Sequence, residues 1–223
     1  MILLPLRSTE RVQSTAVVTG LLIAVNLAVF IYELTLPDYA IPAFVDQWGV
    51  VPDHLHVTTL VTSMFLHGGW LHLLGNLLYL WVFGRNVEDR IGGARFLIFY
   101  FVCGLLAGLM HVALNYYSPT PTIGASGAIA GVMGGYLIKF PRSRIITLFT
   151  IIVFFTTMEI PAAFLLIYWF GMQFLSGIGS LAQSSYAGGG TAWFAHVGGF
   201  IAGMLLIGRF PERRRWKSWH WDE

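Results

Sequence analysis

The chain has 223 residues, of which 56% are hydrophobic and only 11% are charged. A soluble domain carries roughly 25% charged residues. This composition therefore marks an integral membrane protein, a single unit over 1–223 with no room for a large soluble domain. A formal net charge of +2 gives no support for a nucleic-acid partner, and one cysteine, Cys103, excludes an intrachain disulfide.

A helix needs about 20 apolar residues to cross the bilayer. In chain order, candidate spans fall at 15–34, 70–83, 94–114, 126–138, 160–178 and 192–207. They predict an all-α, polytopic bundle of six transmembrane helices. The first run follows Arg7 and Arg11 and has the length of a retained span, so no cleavable signal peptide is expected. The segment 37–67 is half apolar, with Trp48, Leu55, Leu60 and Phe65, and is expected on or partly in the outer leaflet. The short, β-branched stretch 145–158 reads as an interfacial or partly buried connection. Glu159, ahead of Pro161, reads as a helix start.

Basic residues orient the bundle. Arg7 and Arg11 precede the first span, and Arg85, Arg90 and Arg95 separate the second from the third. Lys139, Arg142 and Arg144 follow the fourth, and Arg209 and Arg213 to Arg215 follow the sixth. The other three connections hold no Lys or Arg. This is a positive-inside pattern with both termini cytoplasmic, as tails 1–14 and 209–223. The cluster from Arg213 to Lys217 reads as a topology signal rather than a lipid site. Trp216, Trp219 and Trp221 suit an inner interfacial belt.

Glycines four apart (Gly104 and Gly108; Gly127, Gly131 and Gly135; Gly199 and Gly203) let helices approach closely in lipid. Two of these runs begin beside Ser126 and His196, so a close crossing of the fourth and sixth spans brings those side chains together. The fourth span is only about 20 Å long at 1.5 Å per residue, against a hydrocarbon core of about 30 Å. If its inner end is at the cytoplasmic face, Ser126 lies below the outer surface. Irregular backbone at 119–123 must then line a wet, outward-facing pocket. His196 lies about one turn below the start of the sixth span, at a similar level. His72 and Asn76, four apart, share a face of the second span.

Polar groups in hydrocarbon point to function, and a serine with a histidine suggests a nucleophile and its base. Each residue also has a plainer reading. Gly-Ala-Ser-Gly can be a packing surface, His196 a hydrogen-bonded core residue, and His72 with Asn76 an interhelical clamp. His67, His54, His56 and His220 read as interfacial, as do His111 and Asn115. No metal site is expected, because His67 and His72 fit one helix face poorly and no carboxylate or cysteine joins them.

Taken together, the stretch 65–76 with His72 and Asn76, the turn from Gly84 through Glu88 to Gly92, Gly124-Ala125-Ser126-Gly127-Ala128, and the stretch 195–203 with His196 resemble the rhomboid family of intramembrane serine proteases. The resemblance spans about 62–203. It implies Ser126 as nucleophile, His196 as base, and His72, Asn76 and Gly127 at the oxyanion site, with no cofactor. It also implies single-span membrane proteins as substrates and contact with lipid; the short chain, with no transit peptide expected, suits a bacterial-type plasma membrane. The fifth span, with Trp169, Phe170 and Gln173, is the family's candidate gate. Three positions depart from the family. Thr58 and Thr59 stand where many members carry Trp-Arg, and Ala130 stands where some carry a tyrosine that stacks on the histidine. Other packing must hold His196. No third carboxylate is visible at this depth, so the residues suggest a dyad. Rival readings are a non-catalytic helix-binding module and a proton-coupled transporter.

Overall fold

A computed structural model describes residues 2–151, 154–182 and 192–213. Arg214, Arg215, Lys217, His220 and the tryptophans Trp216, Trp219 and Trp221 lie outside the described residues. The molecule is mostly helical, with α1 (Val17–Glu33), α2 (Ile41–Trp48), α3 (Thr59–Thr62), α4 (Trp70–Tyr79), α5 (Arg85–Ile91), α6 (Gly93–Leu114), α7 (Ser126–Lys139), α8 (Ala162–Ala182) and α9 (Trp193–Leu206). Among the described residues, α6 and α8 are the two single helices long and apolar enough to cross a membrane. A third span arises if α1 and the bent segment after it, at 113°, count as one. α7 and α9 have 14 residues each, about 21 Å of helix.

It is not all-α. Strands β1 (Ile2–Ser8), β2 (Arg144–Ile151) and β3 (Phe154–Pro161) form an antiparallel sheet in the order β1-β2-β3. The stretch expected as an interfacial connection is thus two paired strands, and the N-terminal tail adds a third. The β-branched run Ile145-Ile146-Thr147 favours extended backbone. Pro5, which cannot donate to a ladder, sits on the edge strand, where the register shifts between Pro5 and Arg7. Glu159 is in β3, not at a helix start, and α8 begins only after Pro161. The Tyr136 hydroxyl ties the sheet to the C-terminal end of α7, 2.6 Å from Ser8 Oγ and 3.0 Å from Ser143 Oγ. The sheet therefore lies at the end of the bundle opposite Ser126.

α4 does not stop near residue 83. It runs on through a π-helical turn, Leu80–Gly84, into α5. There Glu88, 4% exposed, accepts from the Val18 and Thr19 N–H groups and the Thr19 hydroxyl at 2.7–2.9 Å. Asp89 accepts from the Ser14 N–H and hydroxyl. Glu88 satisfies two of the orphan donors at the start of α1, Asp89 holds the chain just ahead of it, and both carboxylates suit the positive dipole end of the helix.

α7 is the central post, buried from Gly127 through Tyr136. It meets α9 backbone to backbone. A Cβ on Gly199 would stand 2.0 Å from the Gly127 carbonyl oxygen, and one on Gly203 would stand 1.9 Å from that of Gly131. Only glycine allows helices this close. Large apolar side chains such as Leu21, Ile98, Phe164, Ile167, Leu175 and Leu205 point outward and stay exposed, the surface a lipid-facing belt requires.

Candidate active site

Ser126 is the first residue of α7. The chain reaches it through Gly124, whose φ of +121° suits only glycine and whose Cβ would lie 2.7 Å from His72 Nε2. The Gly124 N–H donates to the Ser63 carbonyl at 2.8 Å, and Thr122 pairs with Val50 as an isolated bridge. The irregular approach to α7 is thus held on both sides. The N–H groups of the first turn of α7 have no intrahelical partners, and the residue ahead of it supplies no side-chain cap.

His196 lies on α9 and is 7% exposed. Its Nε2 is 2.7 Å from Ser126 Oγ, and its Nδ1 is 2.7 Å from Gln173 Oε1 on α8. The Trp169 ring packs against the imidazole at 5.7 Å between centroids, and Trp193 meets it edge-on at 6.3 Å. On α4, His72 Nδ1 accepts the Gly68 N–H at 3.4 Å, which leaves the proton on Nε2, facing Gly124. The Asn76 amide donates to His67 Nε2 at 2.9 Å. His67 Nδ1 then donates to the Phe65 carbonyl at 3.2 Å, and the His67 N–H lies 3.3 Å from both Glu33 carboxylate oxygens.

Ser126, His196, His72, Asn76, Trp169 and Gln173 share one cavity of about 810 Å³. A second cavity of about 30 Å³ lies on the other side of the serine, lined in part by Ser63, His111 and Thr122. The geometry therefore gathers a hydroxyl, an imidazole nitrogen within reach of its proton, backbone donors and side-chain donors around one space. Such a set can carry out acyl transfer.

The family model for the Rhomboid domain matches residues 54–211. The chain belongs to the rhomboid family. The match extends beyond the motif-bearing stretch at both ends and takes in every residue named around the cavity. Among rhomboid relatives, "Rhomboid protease GluP" of Bacillus subtilis is 32% identical over 158 residues, 69% of this chain and 28% of that protein. "RHOMBOID-like protein 5" of Arabidopsis thaliana is 29% identical over 147 residues, 66% of this chain and 42% of that protein. "Rhomboid protein 1, mitochondrial" of Saccharomyces cerevisiae is 29% identical over 165 residues, 70% of this chain and 44% of that protein. The chain thus spans less than half the length of each of these rhomboid relatives.

Four further residues stand at this site: the sequence reading takes His67 and His111 as interfacial, and names Trp169 and Gln173 only as part of a candidate gate. His67 is the acceptor for Asn76 rather than an interfacial group. His111 bonds the Thr122 hydroxyl at 2.9 Å from a partly buried position beside the smaller cavity. Trp169 and Gln173 lie against His196. The available signal was Gln173 itself, an amide in the middle of an apolar run four residues from a tryptophan.

Proposed function

We propose that this chain is an intramembrane serine endopeptidase that hydrolyses peptide bonds in or near the transmembrane helices of single-span membrane proteins. The observation that carries this reading is the 2.7 Å contact between Ser126 Oγ and His196 Nε2, set beside the uncapped start of α7 in the large cavity. The Ser126 oxygen attacks the scissile carbonyl carbon while His196 Nε2 takes its proton. Negative charge develops on the carbonyl oxygen, where backbone N–H groups at Ser126 and Gly127, His72 Nε2–H and the second N–H of Asn76 stabilise it. His196 returns the proton to the leaving amine. Water in the cavity then hydrolyses the acyl-enzyme.

A six-span arrangement with both termini cytoplasmic accompanies this reading. Its helices are α1, α4 continued into α5, and α6 to α9. The basic residues support it. Arg90 and Lys139 gather around Glu212 at 3.3 Å, at the end of the bundle that carries the sheet and away from Ser126. A substrate helix must lose internal hydrogen bonds before it can be cut, so substrates carry Gly or Pro near the scissile bond.

The test is reconstitution of the purified protein in lipid vesicles with a panel of labelled single-span helices. Cleavage by the wild type and none by Ser126→Ala or His196→Ala supports the reading. Helix binding without cleavage by the wild type would favour a non-catalytic module.

A further inference from the structure

Both ring nitrogens of His196 have partners, Ser126 Oγ at Nε2 and Gln173 Oε1 at Nδ1, each at 2.7 Å. For Nε2 to accept the serine proton, the ring hydrogen must sit on Nδ1, and a buried N–H needs an acceptor. We propose that Gln173 is the positioning residue for His196: its amide oxygen holds the imidazole in the Nδ1–H tautomer and in the plane that faces Ser126. The assignment rests on the protease reading above.

Three features support it. The first is the origin of Gln173. Ser126 and His196 ride on α7 and α9, whose glycine-to-carbonyl contacts fix the distance between the helices. Those backbones do not fix the rotation of the imidazole about its own bonds. Gln173 reaches it from a third helix, α8.

The second is the company Gln173 keeps. Trp169 lies one turn earlier on the same helix face, and its ring covers the imidazole at 5.7 Å and 38°. One face of α8 therefore holds both the flat side and the Nδ1 edge of His196. Four residues after the serine stands Ala130, so α7 offers no ring at that position.

The third is electrostatic. A carboxylate at this place would have to give up its hydration inside an apolar bundle, at a cost of several kcal/mol. A primary amide accepts the same hydrogen bond without a charge to desolvate. Among the described residues, His72 on α4 lines the same cavity as His196, and the bond at Nδ1 is to Gln173. A neutral acceptor gives little help to an imidazolium charge, so its contribution is orientation and tautomer.

The experiment compares wild type, Gln173→Leu and Gln173→Glu in kcat, KM and thermal unfolding, using a labelled single-span helix that the wild type cleaves. Leu keeps the bulk and removes the acceptor. It lowers kcat about 10- to 100-fold with KM within about twofold, the loss expected from a misaligned base. Glu, kept protonated by the same apolar surroundings, offers a neutral carbonyl acceptor of the same reach and recovers most of the rate. A packing role would give the opposite order, with Leu active and Glu impaired, and would overturn the assignment, as would wild-type kcat in Gln173→Leu. Nitrogen-15 spectra of His196 give a second readout that does not depend on activity or on the stability of the Glu variant. They show one Nδ1–H tautomer in wild type and a mixture in Gln173→Leu; identical spectra refute the role. A wild type that neither cleaves nor reacts with a fluorophosphonate removes the protease reading itself. A reactive wild type with an equally reactive Gln173→Leu removes only the role of Gln173.

Discussion

Gly199→Ala tests whether glycine contacts set the Ser126–His196 distance. The added Cβ would stand 2.0 Å from the Gly127 carbonyl oxygen and 3.3 Å from the Ala107 Cβ. A carbon meets a carbonyl oxygen at no less than about 3.3 Å, so the deficit is about 1.3 Å. The clashing oxygen belongs to a helix backbone and cannot swing aside, so α9 must back away from α7. His196 lies three residues earlier, about 4.5 Å along the helix axis, and moves with it. The hydrogen bond to Ser126, 2.7 Å in the native protein, then opens to about 4 Å, beyond hydrogen-bonding range. A misplacement of about 1 Å costs on the order of 10²-fold in rate. Stability changes less: alanine gains up to about 1 kcal/mol in helix propensity, and overpacking costs about 1–3 kcal/mol. The assay is kcat for cleavage of a labelled single-span helix together with thermal unfolding in detergent. Gly20→Ala on α1, where nothing lies within 4 Å of the added carbon, is the control: it keeps kcat and unfolds at or slightly above the wild-type temperature. A Gly199→Ala variant with wild-type kcat would show that these contacts do not position the site.

Asn76→Ala removes a proposed oxyanion donor and lowers kcat about 10²–10³-fold with little change in KM; an unchanged kcat takes Asn76 out of that role. Glu88→Ala strips the partners from two backbone N–H groups and one hydroxyl at the start of α1. It destabilises the protein by at least about 2 kcal/mol, read as a lowered unfolding midpoint in detergent, and a midpoint equal to wild type would mean that water or another group caps α1.

Hydropathy shows helices whose ends are set by apolar length. It places one at 94–114 where α6 runs Gly93–Leu114, and one at 126–138 where α7 runs Ser126–Lys139. It ends the second span near residue 83 because Arg85, Glu88 and Asp89 look like a solvated turn. The helix continues because Glu88 is consumed in capping α1 and Asp89 in holding Ser14 ahead of it, and a one-dimensional scale cannot register a charge that another element satisfies. The sheet is hidden for a similar reason. β2 finds its partners in β3 and in β1 at the far end of the sequence, and long-range pairing leaves no local period. Ser126 and His196 stand out as polar residues in apolar runs. Gln173 stands out in the same way, but its partner depends on which face α8 turns inward, and that is decided by packing of Trp169 and Phe170 on Phe200.

The central claim is that Ser126 is a nucleophile activated by His196. Treatment of the folded protein in membranes with a fluorophosphonate, followed by peptide mass spectrometry, tests it most directly. The account predicts one adduct, on the Ser126 oxygen, that disappears in His196→Ala while that variant keeps its unfolding midpoint. An unmodified Ser126 in the wild type, or equal labelling of Ser126 without His196, would contradict it.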